Sequence, residues 1–447
     1  MQFRRWARGQ TMVLFLGFAA AMAGMMLVVF NSGQVTNAKM RAINAADAAA
    51  YSGALWEARS LNFQAYMNRA MVVNEVTIAQ SVSLRSWTAY LARFVTNVNT
   101  VARFIPYVGT ATTAVKQVIT VVDNGVQRVL PPFDILLRAV NLAEHSAQIG
   151  LYTPGSLIAQ GLASDVAIRN GATVSTGGNA LMLLNASKWL NLTKRYEGND
   201  RTRIRTVTLD SRDGFTQARD KKWDDPTGVV FELRKQGGTD LLDYDSWKGL
   251  DSSQLRTVKI FGKWRGKASL GWGGAQSYSR NRIDIGRHGN INEWGDWDGR
   301  LAQGVANNAG AKNVRIPFQG YFDVRDTISH ADLVLPFSVE VFVDKSRIPN
   351  ASTALNAQTM LIDGTRLEQD PRYAADQGVY ALAEACVRFV RPYGSDRADG
   401  AQELPSLFNP YWTASLATES KAARVAVDGF KRLPPPASTF FGKDTCI

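Results

Sequence analysis

The chain has 447 residues, 45% of them hydrophobic and 20% charged, with 51 Lys+Arg against 39 Asp+Glu for a net charge of +12. This composition excludes global disorder, and the length allows two or three globular units. Two cysteines and three histidines leave no material for a disulfide scaffold or a His- or Cys-rich metal centre.

Residues 1–10 read as a basic segment with Arg4, Arg5 and Arg8 and no acid. Thr11 to Phe30 follow without a charge. At about 1.5 Å per residue, twenty such residues span about 30 Å, the hydrocarbon thickness of a bilayer. The three arginines are expected to stay in the cytoplasm and so orient the rest of the chain outward. An uncleaved anchor is the expected reading, with a cleaved signal peptide as the alternative. Against cleavage stand the length of the run, the lack of a polar cleavage region and the continuation past Gly33 into helix. Gly17, Ala21 and Gly24 give the span one small-residue face.

Residues 31–104 are expected to form one long stalk helix. From 36 to 104 there is no proline, and Gly53 is the only glycine. Ala38, Ala42, Ala45, Ala46, Ala48, Ala49, Ala50 and Ala54 favour helix with a slim surface. Phe63, Met67, Ala70, Asn74 and Ile78 recur three and four apart as a packing stripe. Asn44 and Asp47 share a face, where they meet a partner helix or water.

Arg8-Gly9-Gln10 opening the apolar helix, followed by Asn44-Ala45-Ala46-Asp47 within the 43–54 run, resembles the N-terminal region of the TadG-like proteins of tight-adherence (Flp-type) pilus assembly. The resemblance covers about residues 1–60. It implies a bacterial envelope protein whose N-terminal helix is pilin-like. In pilin-like members a Glu stands five positions beyond the cleaved glycine; counted from Gly9 that position is Leu14, so prepilin-peptidase processing is not carried over. Longer relatives also carry a von Willebrand-type metal site, which Asp251-Ser252-Ser253-Gln254-Leu255 approaches without its last serine, and that domain is not expected.

Residues 105–200 are expected to be helical, in segments 111–129, 133–149 and 156–170 punctuated by Pro131-Pro132 and Pro154-Gly155. His145 is expected at the helix surface. Residues 201–350 read as a β-rich domain inserted between helical parts. Val258 to Trp272 alternates with period two, and its length predicts a bend at Gly262 or Gly266 or a hairpin. Val314–Phe318 and Leu333–Val343 are further expected strands, with Val339, Val341 and Val343 as an inward row and Pro317 and Pro336 favouring sheet edges. Residues 351–447 are expected to be helical, over Pro371–Val390 and Ala414–Phe430, with a loop at 394–410 and a Pro-rich tail. The class is therefore α+β: a transmembrane helix running into a long helix, then a helical body with an antiparallel β insertion.

Between 256 and 290 eight basic residues oppose only Asp284, a net +7. Lys259, Lys263, Arg265 and Lys267 fall on one side of the alternation and Trp264 and Trp272 on the other. This reads as a solvated basic face for an anionic partner, a surface polymer before nucleic acid, with the tryptophans inward. The oxygen-rich stretch 290–299 has Trp294 where a calcium loop needs a ligand, and reads as a turn. Cys386 and Cys446 are an expected disulfide in an exported domain. No Gly-x-Ser-x-Gly, His-Glu-x-x-His or phosphate-loop motif is present; neither catalysis nor a cofactor or metal is expected. The expected role is structural, in a pilus or related secretion apparatus, as a minor pilin-like subunit or assembly factor. Its location is the bacterial inner membrane with a periplasmic or filament-borne body, and its partners are the membrane and other pilus or envelope proteins. The alternative is an exported adhesin or binding module acting through the basic 256–287 stretch.

Overall fold

A computed structural model describes residues 7–102, 108–174, 178–242, 244–277, 301–302, 304–306, 316–326, 328, 333–348, 378–391, 403–418 and 420–431. The chain is α+β. Helix α1, Ala7–Ala102, runs unbroken from the apolar segment through the alanine-rich stretch, as expected of a proline-free sequence. Helix α2, Val108–Arg169, is also continuous, which corrects the breaks expected at Pro131-Pro132 and Pro154. Each proline removes one helical hydrogen bond. The face after the first pair (Asp134, Arg138, Asn141, His145 and Gln148) is buried, and those tertiary contacts hold the helix through it.

The remaining elements are β1 (Thr173–Val174), α3 (Gly178–Leu192), β2 (Thr193–Tyr196), α4 (Thr202–Asp210), β3 (Arg219–Asp224), β4 (Phe231–Leu242), β5 (Ser246–Ile260), β6 (Lys263–Gln276), β7 (Tyr321–Val324), β8 (Val334–Asp344), β9 (Gly378–Phe389), β10 (Trp412–Ala417) and α5 (Lys421–Lys431). Helix α4 and the strands β1 and β2 depart from the expected helical 105–200 and β-rich 201–350 division. The C-terminal part departs further. Strand β9 replaces the helix expected at Pro371–Val390, and β10 takes the first turn of the one expected at Ala414–Phe430. The strand expected at Val314–Phe318 is irregular over 316–320 and pairing starts at Tyr321, since Pro317 has no N–H for a ladder.

Two compact units interleave along the chain. The first comprises residues 1–64, 150–194 and 324–447. Its antiparallel sheet has the order β1-β8-β9-β10. Val339, Val341 and Val343 are buried as expected. At Pro336 strand β8 pairs only with β9, because β1 reaches just Val341 and Phe342, so the proline occupies a locally open edge. Helix α3 is tied to β8 at both polar ends of one amide: Asn185 Nδ2 donates to the Ser338 carbonyl (2.9 Å), and Ser338 N donates to Asn185 Oδ1 (3.1 Å).

The second unit comprises residues 65–149 and 195–323. Here α1 and α2 form an antiparallel pair, since Asn68 meets Gln148, Glu75 meets Asn141 and Arg85 meets Asp134. The sheet β3-β4-β5-β6 is a meander of successive antiparallel strands. It lies so close to α1 that a Cβ on Gly273 of β6 would sit 2.2 Å from the Ser86 carbonyl oxygen and the Tyr90 nitrogen.

Candidate membrane and partner interfaces

Between residues 11 and 30, α1 is exposed along its whole circumference apart from a half-buried Leu27, and Met12, Leu14, Phe15 and Val29 are each at least 70% exposed. A run of large apolar side chains left in water is unfavourable by about 25 cal/mol per Å². The same run matches the bilayer in length and composition, and α1 is a candidate membrane-spanning helix. Arg4 and Arg5 lie outside the described residues, and Arg8 and its neighbours Gly9 and Gln10 fall in the helical first turns.

From residue 38 onward one side of α1 is covered. Ala42, Ala45, Ala46, Ala49, Ala50 and Ala54 are fully buried within the first unit. The reason is close approach: a Cβ on Gly53 would lie 2.1 Å from the ring of Phe337 in β8. Lys39 Nζ donates to the Tyr380 carbonyl at 2.6 Å, and Asn62 exchanges two hydrogen bonds with the backbone of Trp412. The alanine surface thus packs on the chain's own first unit, because only small side chains let helix and sheet backbones approach this closely. The opposite side carries Met40, Ile43 and Tyr51, exposed, with Asn44 exposed and Asp47 half-buried among them. Positions 40, 43, 44, 47 and 51 lie three and four apart and so form one stripe. Burial pushes the Asp47 carboxyl up from its ordinary value.

At the end of the alanine segment Glu57 is buried, and desolvation raises its pKa well above the ordinary carboxylate value, opposed by the nearby Lys188. In the second unit the buried side of α1 turns polar. Glu75 carries Arg138 Nη2 at 3.1 Å, the Trp247 indole N–H at 2.9 Å and the Asn141 amide at 2.8 Å. Arg85 pairs with Asp134 at 3.4 Å, and burial lifts Asp134 to about 6. The buried positions 64, 68, 71, 75, 78 and 82 sit close to the expected packing stripe, of which Ile78 is buried and Phe63, Met67, Ala70 and Asn74 are half-buried. His145 belongs to this interior and not to the surface: it is buried, it stacks on Phe322 at 6.1 Å, and desolvation lowers its pKa. Asp251 is an interior strand residue too, accepting from Ser86 Oγ at 2.8 Å and facing Arg219 at 3.2 Å. Burial pushes its carboxyl up to about 7.

Residues 256–276 of the basic stretch lie in the β5–β6 hairpin, turning at Phe261–Gly262, while Arg280, Arg282 and Arg287 lie outside the described residues. The turn divides what the sequence reads as one alternation. Lys263, Arg265 and Lys267 are exposed on one face of β6, but Lys259 pairs opposite Trp264, on the other face, with its ammonium 5.4 Å from the indole ring. Trp264 and Trp272 are half-buried, and Trp272 packs inward on the buried cluster of Leu250, Ala302 and Ala306. Arg256, opposite Lys267, forms an ion pair with Glu232 at 3.0 Å. In the same unit a groove of about 800 Å³ holds Arg93, Lys116 and Arg128, with Arg93 5.0 Å over the Trp272 ring and Asp123 among them.

Cys386 is fully buried in β9 and disulfide-bonded. Cys446, the Pro-rich tail, the turn at 290–299, His288 and His330 lie outside the described residues. Among the described residues no cluster of His, Cys, Asp and Glu is arranged to hold a metal ion.

Residues 9–57 match the model of the Tad family, described as "Putative Flp pilus-assembly TadE/G-like". No curated protein and no solved structure matches the chain. The segment matched by the family model and the candidate membrane span therefore occupy one and the same helix, and the match ends at Glu57, where the alanine face closes against the first unit's own sheet.

Proposed function

We propose that this protein is a structural component of a bacterial Flp/Tad-type pilus or related secretion apparatus, either a minor pilin-like subunit or an assembly factor, with no catalytic role. Its α1 helix crosses the inner membrane at residues 11–30, with Arg4, Arg5 and Arg8 on the cytoplasmic side and the body exported. The observation that carries this reading is the division of labour along residues 9–57. The span is bare, the alanine face is occupied internally, and a stripe of Met40, Ile43, Asn44, Asp47 and Tyr51 remains available just beyond the bilayer. An exposed apolar stripe with two polar groups suits packing against another pilus or envelope protein, whose helix would hydrogen-bond Asn44.

A photo-crosslinking side chain placed at Met40, Ile43 or Tyr51 in cells tests this. Adducts with pilus or envelope proteins are expected from these positions and not from Ala46. Adducts absent from all three, or equal from Ala46, would contradict the proposal. A second reading, an exported adhesin or binding module for an anionic surface polymer, is favoured by the exposed Lys263, Arg265 and Lys267 face. Deletion of residues 1–30 separates the two. A binding module keeps its ligand affinity, whereas an assembly component loses its place and its role.

A further inference from the structure

The end of the β3–β6 meander carries a second feature beside its charge. Strand β5 is held to the β4 side there by Val258 N donating to the Val230 carbonyl at 2.8 Å and Lys259 N to the Val229 carbonyl at 2.7 Å. These bonds put Val229, Val230 and Val258 at the same end as the β5–β6 turn with Ile260 and Phe261. All five are exposed, Phe261 to 95%. Val258 and Phe261 also hold φ of 53° and 51°, values that a β-branched or aromatic residue adopts only under strain, so the chain keeps an uncomfortable backbone where it turns these side chains outward. Beside the patch stand Lys259, Lys263, Arg265 and Lys267, all exposed. Of the acids there, Glu232 pairs with Arg256 and Asp225 accepts the Val230 and Phe231 amides, while Asp224 is exposed and leaves the four cations in excess.

We propose that this sheet end is a docking tip for an anionic phospholipid bilayer, in which Phe261 and its aliphatic neighbours enter the headgroup boundary while the surrounding lysines and arginine meet lipid phosphates. The proposal rests on the basic face of the second reading above and changes its partner; it does not depend on the pilus assignment. A polysaccharide or a nucleic acid would engage the cations and leave the valines and isoleucine in water. A bilayer accommodates both halves, because it offers negative headgroups above hydrocarbon. Contiguous exposed apolar side chains with a polar rim mark interaction surfaces in general, and the four cations at this rim choose the sign of the partner.

The test uses the full chain held in nanodiscs of neutral phosphatidylcholine, so that its own span is satisfied. Sedimentable vesicles of phosphatidylcholine alone, or with a quarter phosphatidylglycerol, are then added. Capture by the anionic vesicles at least tenfold above the neutral ones is expected. Phe261→Ser with Ile260→Ser should reduce it at least fivefold, and Lys263→Gln with Arg265→Gln and Lys267→Gln at least tenfold, at unchanged melting temperature. An environment-sensitive dye on Phe261→Cys provides a reading that needs no loss-of-binding variant: its emission should shift to the blue only with anionic vesicles. Equal capture by both vesicles, or no shift of the dye, overturns the proposal. Capture that soluble alginate abolishes and that Phe261→Ser with Ile260→Ser leaves intact also overturns it, while upholding the anionic-polymer reading. Joining of nanodiscs to one another without vesicles would overturn it in favour of contact between copies.

Discussion

One helix is seated by two different chemistries. In the first unit α1 meets its sheet through alanines and Gly53, with the ring of Phe337 against the helix backbone. In the second it is seated through Glu75, Arg85, Asn68 and Ser86, each engaged with a side chain or carbonyl of its own unit. The first arrangement depends mainly on shape, flanked by the hydrogen bonds of Lys39 and Asn62, so adding volume damages it. The second depends on completed pairs, so deleting one partner damages it, because the other is left buried and charged. The contrast teaches that the small-residue pattern beyond the candidate membrane span is a packing requirement of the chain itself, and that the buried polar groups farther along hold the second unit together.

The contrast is broken most severely by Glu75→Ala. Arg138 would lose its ion pair, and a loss of about 3–5 kcal/mol is expected in the second unit, measured by hydrogen exchange of its amides. The first unit's most strongly protected amides should change far less. A disulfide from Cys386 to Cys446 would close a loop of about sixty residues, for which chain entropy gives about 4 kcal/mol. Cys446→Ser should therefore destabilise the first unit by up to that amount and release one thiol to titration under denaturing, non-reducing conditions. Two free thiols in the unaltered chain would refute the pairing.

Gly53→Ala comes next. Alanine gains about 1 kcal/mol of helix propensity, but its methyl overlaps the Phe337 ring, at an expected cost of about 1–3 kcal/mol. A net loss, recovered when Phe337→Leu is added, would confirm that shape rules this contact. A smaller effect concerns pH. Asp251 has a carboxyl pKa of about 7 folded against an ordinary 3.8, so the folded chain binds its proton more tightly. The stability it contributes is present below about pH 4 and lost as pH rises through 7. Asp251→Asn should flatten the stability of the second unit across that window, read by thermal unfolding at each pH. Smallest of all, Lys263→Gln, Arg265→Gln and Lys267→Gln should each shift stability by no more than about 0.5 kcal/mol, since these side chains are exposed.

Much of the N-terminal half was legible in the sequence. The apolar span, the unbroken helix beyond it and the family resemblance over about residues 1–60 are local patterns, and the Tad match at 9–57 falls within that stretch. The hairpin and the inward valines of β8 were legible from period-two alternation. Strand β9 was not. Its residues Ala381-Leu382-Ala383-Glu384-Ala385 favour helix, and it is buried on both faces between β8 and β10, so it shows no alternation to contradict that preference. The prolines of α2 read as breaks because the contacts that carry the helix past them come from residues far away in sequence. Lys259 was placed with the other cations because the two-residue turn at Phe261–Gly262, at one of the two glycines where a bend is expected, resets the alternation between β5 and β6. Glu75 and Asp251 were missed for a related reason. A charged residue on a helix or strand reads as exposed until its partners, Arg138 and Arg219, are brought to it by the fold.

The central claim is that residues 11–30 hold this chain in a membrane. Alkaline carbonate washing of membranes from cells expressing the full chain tests it most directly. The account predicts that the full chain remains with the sedimented membranes, as an integral protein does, and that a chain lacking residues 11–30 is released. Recovery of the full chain in the soluble wash would contradict it.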